Sequence, residues 1–277
     1  MSEIAAEVQR HYNREGLLDR VLAALKEAGK DVDHLMIDDL APIDEFHSRR
    51  RLATEELARM LAPSPGQTLI DIGSGLGGPS RYLAKVHGCR VTGVDLTPEF
   101  VATATELARR TGLSDRVEFR QGSALDLPLA GASFDLAWSQ NVAMNIADRP
   151  RYYAEMRRVL KPGGRLAIQD VAQGPAGAPH YPVMWADTPA TSFLRTPEET
   201  RAMLEAADFK VLVWNDNTEA AIAEAKAERE RATSSPGRPI LGIHVVVGPS
   251  FFDKARNGQR NMVENRIRLI NAVLARD

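Results

Sequence analysis

Apolar positions near the start of the chain recur with a helical period. Leu17, Leu18, Val21, Leu22 and Leu25 share one face of a helix predicted over residues 17–28, with Gly29 as its stop. Leu52, Leu57, Met60 and Leu61 predict a second amphipathic helix over 52–61, closed by Pro63-Ser64-Pro65-Gly66. Between them, residues 31–47 mix polar and apolar side chains without a period and carry Pro42, which predicts irregular chain.

From residue 68 the pattern alternates. Short apolar runs at 68–72, 90–95, 117–120, 134–138 and 165–169 read as strands. Helical periods at 79–87, 98–111 and 151–160 lie between them. Strands alternating with helices predict a parallel sheet covered on both faces. The tail changes rhythm: residues 174–189 are broken by Gly, Pro and Ala, then a helix is predicted over 197–207 and a strand over 210–214. A charged, alanine-rich helix over 219–232, a loop at Ser234-Ser235-Pro236-Gly237, an apolar strand over 241–247 and a helix over 261–275 follow. That makes seven predicted strands.

Composition narrows the class. With 44% hydrophobic and 26% charged residues the chain is globular. A net charge of −2 gives no field for a polyanion, so a nucleic-acid partner is not expected. Cys89 is the single cysteine, which excludes an internal disulfide and a multi-cysteine metal site. His11, His34 and His87 lack metal-ligand spacing, and no catalytic metal is expected. No apolar run approaches the ~20 residues of a membrane span. The acidic start, Met1 to Glu7, is not a secretory signal, so a cytoplasmic protein is expected.

The chemistry centres on Leu69-Ile70-Asp71-Ile72-Gly73-Ser74-Gly75-Leu76-Gly77-Gly78, which follows a strand and opens a helix. Gly73, Gly75 and Gly78 satisfy G-x-G-x-x-G, and Asp95 follows Gly75 by twenty residues, a spacing that suits an acid on a ribose diol. The pattern admits a nicotinamide dinucleotide or S-adenosylmethionine. Asp71, two residues before the first glycine, favours the second: a carboxylate there repels a pyrophosphate and attracts an ammonium or sulfonium. Asp71 could also bond backbone N–H groups of the loop, and the two roles are compatible.

These blocks, with Gly122-Ser123-Ala124-Leu125-Asp126-Leu127-Pro128, Ser133-Phe134-Asp135-Leu136 and Arg158-Val159-Leu160-Lys161-Pro162-Gly163-Gly164, resemble class I S-adenosylmethionine-dependent methyltransferases over roughly residues 66–171. The chain is most similar to the small-molecule branch with sarcosine/dimethylglycine, phosphoethanolamine and quinone-ring methyltransferases. The resemblance implies an α/β, Rossmann-like, doubly wound, seven-stranded, mostly parallel sheet. An N-terminal helical lid (1–65) would cover a core (66–277) with pocket insertions at about 172–196 and 216–239. It implies that Gly73, Gly75 and Gly78 contact the methionine and ribose of the donor, with Asp71 near its amino group. Asp95 would bond the ribose and Leu96 pack on the adenine. Ser123 and Ala124 would flank the adenine amine, Ser123 standing where the family usually has an acid. Gln140 and Asn141 would meet the methionine end. Ser48 matches a lid serine or glycine, although Arg49-Arg50 stands where the family often carries a glycine pair. The cofactor would be S-adenosyl-L-methionine, leaving as S-adenosyl-L-homocysteine.

Methyl transfer from a sulfonium is an in-line displacement, so the protein need only align a nucleophile and exclude water. Four residues are candidates for the catalytic pocket. Asn145 stands where many relatives have a histidine and cannot take a proton; it could equally cap a turn. His180 could act as a general base. Tyr181 and Trp185 could line the pocket or hold a cationic amine, or be ordinary core. His47 and His244 could face the same cavity. The leading expectation is methyl transfer to a small molecule, on an amine nitrogen first, or on oxygen or activated carbon. A nicotinamide-dependent oxidoreductase, a methyltransferase of macromolecules and a catalytically silent cofactor-binding module are the other readings. A homodimer through the last helix and the 241–247 segment is a further expectation.

Overall fold

In the computed structural model, residues 3–233 and 239–277 are described; the loop expected at 234–237 lies outside them. The elements in chain order are α1 (Glu3–Tyr12), α2 (Leu17–Glu27), α3 (Ile37–Asp44), α4 (Arg50–Leu61), β1 (Thr68–Ile72), α5 (Gly78–His87), β2 (Arg90–Asp95), α6 (Pro98–Arg110) and β3 (Val117–Gln121). There follow β4 (Phe134–Gln140), α7 (Arg149–Val159), β5 (Leu160–Gln173), α8 (Pro197–Ala206), β6 (Phe209–Asp216), α9 (Thr218–Thr233), α10 (His244–Val247), α11 (Phe251–Val263) and β7 (Ile267–Arg276).

One seven-stranded sheet runs β3-β2-β1-β4-β5-β7-β6. β1 to β5 are mutually parallel, and β7 is antiparallel to both β5 and β6. The chain reverses its direction of winding between β1 and β4, which opens a crevice at their carboxyl ends where doubly wound sheets hold ligands. Helices cover both faces. Tyr152, Tyr153 and Met156 of α7 and Leu204 of α8 pack on Ile70, Ile72 and Ile168. On the other face Leu57 and Leu61 of α4 and Leu83 of α5 pack on Leu69, Leu136 and Trp138. All are at most 1% exposed, and each such aliphatic side chain contributes about 1.5–3 kcal/mol by leaving water.

Three expectations change. Residues 31–47 contain a helix, α3, with Pro42 inside it; Leu40 and Ile43 anchor it in an N-terminal core cluster with Leu17, Val21, Leu25 and Leu76. The apolar run 241–247 is not a strand. Its last four residues form a helical turn, α10, whose Val246 joins that same cluster. Val246 is 3% and Val247 6% exposed within the chain. The helix expected over 261–275 is two elements: α11 ends at Val263, and β7 supplies the seventh strand, wedged in the sheet with every residue from Leu269 to Leu274 buried. α1 was not expected at all; Ile4, Val8 and Tyr12, four apart, are the signal that could have revealed it.

Candidate functional site

The glycine loop leaves β1 at Ile72 and enters α5 at Gly78, which Pro79 helps to start because its missing N–H is one the first turn cannot use. Gly73 has φ +77°, and a β-carbon on it would stand 2.2 Å from Val142 Cγ2, so the loop after β4 can cross closely there. Gly75 has φ +52° and faces open space, with no heavy atom within 4 Å of where a side chain would begin. Gly78 differs: a β-carbon there would lie 2.6 Å from the Asp44 carbonyl oxygen. Its role is to let α3 approach. Beside it, Arg81 donates to Asp44 Oδ2 at 2.7 Å with both side chains buried, fastening α3 to α5.

Asp95 closes the loop from β2. Its Oδ2 accepts from the Gly75 N–H at 2.8 Å and its Oδ1 from the Thr97 N–H at 2.9 Å. Asp71 is 1% exposed and accepts from Ser80 Oγ at 2.6 Å. Burial, and then repulsion from Asp95 and Glu45 against the pull of the Ser80 bond and of His47, push its carboxyl up to about 7. Burial also raises Asp95. Asp71 and Asp95 thus flank the loop, while Arg81 of α5 is engaged by Asp44 and the Leu76 carbonyl.

At the β4 tip, Gln140 Oε1 accepts from Trp138 Nε1 at 2.9 Å and its amide donates to Gln169 Oε1 at 3.1 Å. Gln169 in turn donates to the Ser48 carbonyl at 2.9 Å, so Ser48 is held near the β4 and β5 tips through its backbone. Thr54 and His47 converge on the fully buried Glu45, at 2.7 and 2.8 Å. Asn141 is left-handed at φ +54°, and its Oδ1 is buried without a hydrogen-bond partner. Asp170 Oδ1 accepts from the Val142 and Ala143 N–H groups and holds this turn. On the far side, Leu96, Ser123 and Ala124 are half-buried; Ser123 Oγ accepts from the Leu125 N–H at 3.2 Å.

The four pocket candidates separate. Asn145 and Trp185 come together: Asn145 Nδ2 donates to the Trp185 and Thr191 carbonyls, each at 2.9 Å, and its Oδ1 accepts from Tyr12 Oη at 2.9 Å. The Trp185 indole is 4% exposed, in a core with Met144 and Val183 that Tyr181 packs against. His180 instead pairs with Glu264 of the α11–β7 turn at 2.8 Å, and its backbone is bound by Asn261. No hydrogen bond or ion pair joins it to Asn145 or to the glycine loop among the described residues. Sequence reasoning missed Tyr12, Glu45, Gln169 and Asp170. Likewise His244 lies on the turn α10, against Phe251, and not on a strand.

Residues 70–168 match the methyltransferase domain family. Over that stretch the chain is similar to methyltransferase domains. The stretch holds the glycine loop, Asp95, Ser123, Ala124, Gln140, Asn141 and Asn145; Tyr12, Ser48, His180 and Trp185 lie outside it. Among relatives, methyltransferase GfsG of Streptomyces halstedii is 38% identical over 133 residues, covering 48% of each chain. The 27-O-demethylrifamycin SV methyltransferase of Amycolatopsis mediterranei is 36% identical over 152 residues, 54% of this chain and 55% of that one. The chain thus spans about half the length of these curated relatives. The fold is shared throughout with the geranyl diphosphate C-methyltransferase of Streptomyces coelicolor A3(2), solved with Mg2+, geranyl diphosphate and S-adenosyl-L-homocysteine. That structure has a TM-score of 0.71 and 20% identity, covering 100% of this chain and 98% of that one.

Proposed function

We propose that this chain is a cytoplasmic S-adenosyl-L-methionine-dependent methyltransferase acting on a small molecule. The observation that carries the reading is Asp71: a buried acid at the end of β1, two residues before the glycine loop, with Asp95 and Glu45 acting on it as further acids. That field attracts a donor bearing an ammonium and a sulfonium and repels the linked phosphates of a nicotinamide dinucleotide. The orphaned Asn141 Oδ1 fits the same donor, because it offers an acceptor where an ammonium needs one.

In this reading Asp71 and Asn141 receive the amino group, and Gly73 and Gly75 bring backbone against the methionine and ribose. Asp95 binds the ribose hydroxyls, Leu96 covers the adenine, and Ser123 and Ala124 meet its exocyclic amine. Gln140 and Ser48 close the methionine end through the Gln169 bridge. S-adenosylmethionine supplies an activated methyl group, and the chain aligns the acceptor and excludes water.

Asn145 spends both polar atoms on Tyr12, Trp185 and Thr191, so that position supplies shape and no base. An acceptor that reaches the sulfonium with its lone pair unprotonated, such as an amine that has lost its proton to solvent before it binds, suits this site. Trp185 and Tyr181 support the wall; His180 serves the acceptor side only by a movement that releases Glu264. Calorimetry with S-adenosylhomocysteine and with NAD(P)H tests the cofactor: tight binding of the first alone is expected, and the reverse overturns the reading. Labelled methyl transfer to a metabolite panel tests the activity; donor binding with no transfer to any member would leave a silent module.

A further inference from the structure

Two arginines turn the chain from α3 into α4. Arg49 has φ +65° and Arg50 φ +46°, consecutive residues in the left-handed region that a side chain enters only at a cost. Such a backbone persists where its surroundings hold it.

Arg49 supplies the hold. Its side chain is 6% exposed and forks onto two carboxylates. Nη1 and Nη2 donate to the two oxygens of Glu56, within α4, at 2.6 and 2.8 Å. Nε and Nη2 donate to the two oxygens of Glu224, on α9, at 2.9 and 2.6 Å. Paired bonds between a guanidinium and a carboxylate are strong and fix orientation as well as distance. Arg50 reaches Glu228, one turn further along α9, at 3.2 Å, although both partners of that pair are exposed and it is worth little.

Beyond its first turn α9 has few other anchors. The Thr218 N–H donates to Asp216 Oδ1 and the Thr218 hydroxyl oxygen accepts from the Leu269 N–H, each at 2.9 Å, which fixes the start of the helix. Ala221 is buried, but no side chain from Ile222 to Glu230 is. On its inner side the turn is tied to the sheet instead. The carbonyl of Ser48, immediately before Arg49, accepts from Gln169, which Gln140 bonds in turn. One short segment is therefore bonded inward to the β4 and β5 tips and outward to a helix near the end of the chain.

From this juxtaposition we propose that Arg49 is a positioning residue for the donor: through it α9 acts as a strap that draws the 45–50 segment over the methionine end, and the donor enters and leaves when Glu224 lets go. Glu56 belongs to the helix that Arg49 begins and travels with it, so only the Glu224 half of the clasp opens. The Glu224 side chain keeps 36% of its surface in water, so added salt competes for Arg49. The inference rests on the methyltransferase reading, since Ser48 meets the donor only there.

The test follows S-adenosylhomocysteine on the full chain by rapid mixing, with association and displacement recorded separately. Loosening a gate quickens both directions. Glu224→Gln is expected to raise both rate constants, dissociation about ten-fold. Wild-type dissociation should quicken as sodium chloride rises from about 0.05 to 0.5 M, and that salt response should vanish in Glu224→Gln, which a merely structural contact would not bring about. Arg49→Gly suits the left-handed backbone while it removes the clasp, so it should fold and exchange the donor at least as fast as Glu224→Gln. Unmoved dissociation in Glu224→Gln, faster dissociation without faster association, a salt response retained in that variant, or wild-type exchange in Arg49→Gly overturns the inference. Failure of wild type to bind S-adenosylhomocysteine instead brings down the donor reading, and this one with it.

Discussion

Tyr12 Oη donates a 2.9 Å hydrogen bond to Asn145 Oδ1, across 133 positions of sequence. One partner ends α1 and the other follows β4, so the bond ties the N-terminal helix to the crevice side of the sheet. Burial, reinforced by Asp95, raises the phenol above its ordinary value and keeps it a donor. Tyr12→Phe removes the bond and leaves Asn145 Oδ1 unpaired. The expected cost is about 1–2 kcal/mol, read as a five- to thirty-fold weaker S-adenosylhomocysteine affinity. A calorimetric affinity equal to wild type would show that the lid closes without this bond.

Asp95→Ala should weaken donor binding by about 1–3 kcal/mol, because charge-assisted bonds to the ribose are lost. The Gly75 N–H also loses its acceptor, so the loop itself loosens. An unchanged dissociation constant would contradict the assignment of Asp95.

Two glycines of one motif should respond differently. Gly75→Val places a branched side chain in open space at φ +52°, so donor binding is expected to vanish while the circular dichroism spectrum survives. Gly78→Ala drives a methyl into the Asp44 carbonyl, so its effect should fall on melting temperature first. Full donor affinity in Gly75→Val would mean the cofactor does not use the loop.

Asp71 makes donor binding depend on pH. Its folded value of about 7 lies above the unfolded one, so the folded chain holds an extra proton between them. That group's contribution to stability is present at low pH and is lost as pH rises through about 7. The ionised form attracts the cationic donor, so affinity for S-adenosylmethionine should rise over the same window. The two trends oppose each other. Asp71→Asn should flatten both, as melting curves and titrations from pH 5.5 to 8.5 would reveal; a wild-type pH profile in that variant refutes the role.

The glycine loop, Asp95 and the β1–β5 rhythm were legible because turn chemistry and short strands between helices leave local marks. The tail was not. Residues 241–247 are all apolar or small around His244, and such a run does not distinguish a buried strand from a buried helical turn. β7 is covered on both faces and paired on both sides, so it lacks the alternation that marks a half-exposed strand and passes for a helix. Among the site residues, Asp71 and Asn145 announced themselves by position, whereas Gln169 and Glu45 matter only through contacts with distant segments. His180 looked reactive as a lone histidine in a loop; Glu264, its partner, lies 84 positions away.

The placement of β7 between β5 and β6 bears on the order in which the sheet is assembled. β6 is synthesised before the strand it lies against, with residues 217–266 still to come. Until β7 arrives, β5 presents a bare edge that includes Ile168 and Val171, and β6 has no ladder to join. A nascent chain stalled anywhere in that interval therefore displays an adhesive border that its own fold does not yet cover.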